Sequence, residues 1–237
     1  YSQAIGDRGY SKDTYPAIFS QEYGLVFRNS RQIAELCASI TASGATLFNA
    51  FINPYKYWQT SFTAKEEEKC DIPILYMFEN DQNMLQGILI EVQNSMTAYQ
   101  IQENEIAVVF FSEDLLIAGM QILQEKYNCN YINARYNVRK EQGKREITIT
   151  YPEYLNGLEY SVVILVGVDE GRVPDKSSND INMNFIKFSA LNKLYLACSR
   201  AKYRVTIMGT NGRGISSCLS YSIEHGTLSV KQSRSRF

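Results

Sequence analysis

The chain has 237 residues, 45% hydrophobic and 21% charged, which suits one large or two small globular domains with a real core. Its net charge of −1 excludes a global basic field for nucleic acid, and its one histidine, His225, nearly excludes histidine-based metal or triad chemistry. Five scattered cysteines without a CxxC pair argue against a zinc site or a disulfide framework and for a reducing cytoplasm.

No apolar run approaches the length of a membrane span, and no signal segment opens the chain. The start at Tyr1, without a methionine, is expected of a fragment or a trimmed protein. Residues 1–24 are rich in Gly, Ser and Tyr and read as loop. Residues 25–40 pass from a short apolar strand to a helix, with Asn29 or Ser30 as N-cap and Ile33, Leu36, Cys37 and Ile40 as the buried stripe. Residues 43–70 read as irregular: Gly44 is a break, Trp58 is either a stacking platform or a packed aromatic, and the charged run 65–69 is a solvated face.

Residues 72–78 form a strand, and a helical pattern runs through Met84, Ile88, Ile90 and Val92. The run IAVVFF (106–111) is what a strand buried on both faces requires. A helix follows over 113–127, then strands at 147–150 and 161–168. A helix over 191–202 carries the apolar residues Leu191, Leu194, Tyr195 and Cys198 and ends on Arg200; the thiol of Cys198 is read as core, not nucleophile. A strand at 205–208, a glycine-rich turn and a helix near 216–224 complete the pattern, and 231–237 form a mobile basic tail. There is no internal repeat. Strands alternating with amphipathic helices predict one α/β domain over 1–230, a mostly parallel sheet covered on both faces with ligands at the carboxyl ends of its strands.

Three segments beside strand ends hold groups suited to phosphate or ribose. Arg28 sits between an apolar strand and a helix start, Glu159 precedes the most apolar strand, and Arg200 ends a packed helix. Each also has a plain alternative, as a surface arginine or a solvated strand-end carboxylate. The turn at 209–216 is either a phosphate cradle or a loop with Ser216 as N-cap.

Together these segments resemble the UvrD/Rep-like superfamily 1 helicases. FRNSRQI (27–33) resembles motif IV, GLEYSVVILVGVDEGRVP (157–174) motif V, and LYLACSRAKYRVTI (194–207) motif VI, while Gln3-Ala4-Ile5 with Arg8-Gly9-Tyr10 resembles the tail of motif III. The resemblance implies a RecA-like three-layer α/β/α domain, the second of two that enclose ATP. It implies that Arg28 and Arg200 contact the γ-phosphate, Arg200 as an arginine finger, that Gln3 senses this phosphate or orients the attacking water, and that Glu159, in the Gly157-Leu158-Glu159 triplet, holds the ribose. It also implies that Thr148 or Thr150 bonds a phosphate of single-stranded nucleic acid, DNA in preference to RNA.

The chain contains no GxxxxGK[ST], and the Asp-Glu pair that holds magnesium is missing too, since Asp169-Glu170 belongs to the segment resembling motif V; the family carries both elements on its first RecA-like domain. ATP and Mg2+ are therefore expected to be held mainly by an N-terminal RecA-like domain, in cis or in trans, and this chain alone to be inactive. About 35 residues separate Phe111 from Ile147, too few for the large accessory domain of Rep and UvrD. Asn156 replaces the usual Lys, Pro152 to Leu155 replace the His-containing stretch, and Gly6 replaces an aromatic, so nucleotide contacts are expected to be retained and DNA contacts altered. Two rivals stay open: a non-catalytic helicase-derived scaffold or regulatory module, and an unrelated α/β nucleotide enzyme complete in this chain.

Overall fold

The apolar runs become strands buried on both sides. In a computed structural model, residues 25–26, 29–48, 59–60, 67, 70–133, 144–155, 157–176 and 183–233 are described. The strands are β1 (Leu25–Val26), β2 (Gln59–Thr60), β3 (Ile74–Phe78), β4 (Ile106–Phe110), β5 (Cys129–Ile132), β6 (Ile147–Thr150), β7 (Tyr160–Val166), β8 (Ala201–Thr210) and β9 (Ser229–Gln232). The helices are α1 (Arg31–Phe48), α2 (Asp81–Tyr99), α3 (Glu113–Gln124), α4 (Met183–Cys198) and α5 (Ser220–Glu224). Seven strands pair in the order β5-β6-β4-β7-β8-β3-β9, every pair parallel, while β1 and β2 form a separate parallel ribbon.

The side-chain alternation of each strand divides the core in two. From β4, Ala107 and Val109 join a cluster with Ile33, Leu36 and Ile40 of α1 and Leu191 and Leu194 of α4. Ile106, Val108 and Phe110 point the other way, into a cluster with Met84, Ile88 and Val92 of α2 and Leu115 and Leu123 of α3. The result is the expected three-layer α/β/α arrangement. Two glycines allow the second layer to approach closely. A Cβ on Gly87 would lie 2.4 Å from the Phe78 ring, and one on Gly119 2.4 Å from the Phe110 ring.

Several expectations are corrected. Gly44 does not break α1, which continues to Phe48; a Cβ at Gly44 would lie 3.3 Å from Leu191 Cδ1, so the position serves the packing of α1 on α4. Ile90 is 47% exposed, because a residue two positions from Ile88 turns to the far side of the helix. Lys231 and Gln232 are not tail: they lie in β9 opposite Tyr76 and Met77. The helix expected over 191–202 begins at Met183 and stops at Cys198, because Ser199 and Arg200 close its last turn onto the carbonyls of Tyr195 and Ala197.

Candidate functional site

Arg200 is therefore not a helical residue but the last residue of a turn between α4 and β8. Its position is fixed by its neighbours' carbonyls. Tyr160 N–H at the start of β7 donates to Arg200 O at 2.9 Å, and Ser30 N–H at the start of α1 donates to Lys202 O at 3.1 Å. The Asn29 side-chain amide donates to Ser199 O at 3.0 Å and to Ala201 O at 2.6 Å. All four carbonyls from Ser199 to Lys202 are thus held from outside the turn. The register between β7 and β8 shifts here, Tyr160 pairing with Ala201 but Val162 with Arg204, a bulge of the kind that re-aims a strand end.

The geometry brings together the two residues that follow Arg28, the residue after Glu159, and Arg200. They meet at the amino ends of β7 and β8, not at the carboxyl ends that the fold class suggested. Arg28 and Gln3 lie outside the described residues, as does Trp58. Glu159 is exposed, one residue before β7, and Gly157 beside it is exposed with φ of 80°, the left-handed region that favours glycine. Arg200 is only 3% exposed, and its guanidinium donates to Ser199 Oγ at 3.1 Å.

Beneath the turn lie two thiols. Burial pushes Cys37 of α1 up to about 12, against the pull of the nearby Arg200 charge, and burial likewise raises Cys198. Neither is poised as a nucleophile. Ser30, not Asn29, caps α1: its Oγ accepts from Ile33 N–H at 3.4 Å and its carbonyl from Ala34 N–H at 3.0 Å. The charged run also has a role, since Glu67 accepts from Arg31 N–H at 2.9 Å and so meets the positive end of α1.

Thr148 and Thr150 do not reach the surface. They are 2% and 0% exposed; Thr148 accepts from Tyr160 Oη at 3.1 Å, and Thr150 donates to Ile132 O at 2.7 Å. Neither hydroxyl is presented to a nucleic-acid strand.

At the opposite, carboxyl edge the structure shows groups that sequence reading passed over. Asp169, fully buried after β7, accepts from Thr210 N–H and Oγ1 at 3.1 and 3.0 Å and from Arg172 at 2.9 Å, and Arg172 also pairs with Asp81 at the start of α2. Burial raises the pKa of Asp169, while Arg172 and Thr210 hold it down. Next to this cluster is a cavity of about 260 Å³ lined by Phe111, Tyr151, Arg172, Phe185 and Lys193 among others. Its cations are partnered: Lys193 with Glu153, Arg172 with the two aspartates. The glycine-rich turn at 209–216 leads into a short 3-10 turn that Ser216 caps by accepting from Cys218 N–H. Among the described residues no helix is long and apolar enough to cross a membrane.

No family model matches the sequence, and no curated protein matches it. Solved structures do. The C-terminal domain of a possible DNA helicase from Lactobacillus plantarum WCFS1 superposes with a TM-score of 0.57 at 13% identity, covering 86% of this chain and 98% of that one. An arterivirus helicase, nonstructural protein 10, covers 71% of this chain and 36% of its own at a TM-score of 0.40 and 10% identity; its complex with DNA gives 0.41 and 11%. At 13% identity the first likeness is one of fold, and with the parallel seven-stranded sheet it makes this a RecA-like domain.

Proposed function

We propose that this chain is the second RecA-like domain of an ATP-dependent nucleic-acid helicase or translocase of the UvrD/Rep-like kind, supplying Arg28 and Arg200 to an ATP bound mainly by another domain. The observation that carries the reading is the junction at the amino edge. Segments resembling motifs IV, V and VI, up to 172 residues apart, close on one backbone turn. A sheet alone does not require this, because α1 could start anywhere over its face. The turn they hold carries an arginine, and an exposed carboxylate stands beside it. A nucleotide laid over this edge has Glu159 for a ribose hydroxyl and a guanidinium for the phosphate.

In this role the domain does little covalent chemistry. Phosphoryl transfer gains most from positioning and from positive charge on the equatorial oxygens, which a guanidinium from across the cleft provides. ATP and its magnesium would be held by the Walker elements of the other domain. At 3% exposure Arg200 meets a phosphate only after a local rearrangement, which fits a group delivered on domain closure. The matching of a possible DNA helicase domain over nearly its whole length supports the same reading, in which single-stranded nucleic acid is the track.

The test is Arg200→Ala in a protein that includes both RecA-like domains, with ATP turnover measured in the presence of single-stranded DNA. Turnover should fall on the order of 10³-fold or more. A change of less than about threefold would overturn the reading. The burial of Arg200 favours one alternative, a non-catalytic helicase-derived module in which the arginine only braces the turn. That module would show no nucleic-acid-stimulated ATP turnover before mutation.

A further inference from the structure

Of the four bonds that hold the Arg200 turn, two come from the backbone, from Tyr160 N–H and Ser30 N–H. The other two bonds come from one side chain, Asn29, whose amide has two N–H groups and uses both. They go to the carbonyls of Ser199 and Ala201, the residues on either side of Arg200. The arrangement is not helix capping, which Ser30 performs. Asn29 is buried, so its donors face no competition from bulk water. It lies in the segment that resembles motif IV, so one side chain ties that segment to the Arg200 turn.

We propose that Asn29 is a positioning residue that fixes the backbone on both sides of Arg200, so that its guanidinium arrives at the phosphate in register. The inference rests on the reading of Arg200 as a trans-acting group. Its consequence is specific. Loss of the clamp leaves the nucleotide's own contacts on the other domain untouched, while Arg200 is misplaced in the transition state. Misplacement of a reacting group by about 1 Å can cost on the order of 100-fold in rate.

The experiment uses a protein with both RecA-like domains and measures ATP turnover with single-stranded DNA for N29A, R200A and the double variant. N29A should lower kcat by about 10- to 100-fold with KM for ATP within about threefold. In the R200A background the same substitution should cost less than about threefold, because the group it positions is gone. An unchanged kcat for N29A, or losses that multiply in the double variant, would overturn the proposal while R200A still upholds the finger. A silent R200A would instead overturn the finger reading itself. Should N29A fail to accumulate in soluble form, N29S, neutral and able to keep at most one of the two bonds, replaces it and the same outcomes decide.

Discussion

On the far face of the sheet the strand that leaves Arg200 is tied down by a buried ion pair, and cutting that pair gives a sharp test of the architecture. Glu91 of α2 accepts from Arg204 Nε at 2.8 Å and from Thr206 Oγ1 at 2.7 Å. Their side chains are 6% and 13% exposed for Glu91 and Arg204. Removing one member of a buried pair costs about 3–5 kcal/mol, because the other charge is left desolvated. Here Arg204 keeps Asp71 at 3.0 Å and Tyr99 Oη at 3.4 Å, which places Glu91→Ala near the lower end, about 3 kcal/mol. For a chain of this size that is a fall in Tm of about 6–12 °C. Calorimetry and urea titration of the whole chain should agree on it. Replacing both partners by methionine should recover most of the loss, since the double change leaves no orphaned charge. A loss below about 1 kcal/mol for Glu91→Ala would refute the claim that this pair anchors β8.

Two further outcomes follow from the same packing. Gly119→Ala gains up to about 1 kcal/mol of helix propensity, yet its Cβ would stand 2.4 Å from a fully buried Phe110 ring, so urea titration should show a net loss of about 1–3 kcal/mol. Glu170 is held below its ordinary 4.5: burial pushes it up, but Lys176 and the Ser217 N–H outweigh burial. A depressed carboxyl contributes stability above its unfolded pKa and loses it as pH falls through the folded one. Glu170→Gln should therefore be less stable than the parent at neutral pH by up to about 1 kcal/mol, with the two stability curves merging as pH drops below the carboxylate range.

Much of this fold could be read from residue order. IAVVF and, after Ser161, VVILV have no polar interruption, and both lie in central strands with every residue buried. The misreadings have local causes. Gly44 looked like a helix break because glycine's weak propensity is visible in sequence, whereas the closeness of Leu191 that makes use of it is not. The strand at Ser229–Gln232 has only four residues and is half exposed, so its pairing with β3 carries no periodic signature. At the site, Asn29 before a helix reads as an N-cap from any window of ten residues. Its two acceptors stand 170 and 172 residues later, and only the folded chain discloses them. Thr148 and Thr150 fail in the opposite way: a motif position suggested an exposed hydroxyl, but both lie in a strand buried from end to end.

The position of the junction changes how the two edges of the sheet relate. β6 and β7 run in the same direction, both paired with β4, so the chain between them must return from the carboxyl edge to the amino edge. It does so without a full helix, through a 3-10 turn at Pro152–Tyr154, with Leu155 fully buried and Glu153 paired to Lys193 of α4. Tyr151, Pro152 and Glu153 line the carboxyl-edge cavity, and Glu159 stands at the amino edge where the proposed nucleotide lies. One short connection therefore has the cavity at one end and Glu159 at the other. The α4 helix doubles this link: Lys193 borders the cavity, and the last turn of the same helix delivers Arg200. The carboxyl-edge cavity and the Arg200 turn are thus linked through α4 and through the packed 3-10 turn beside it.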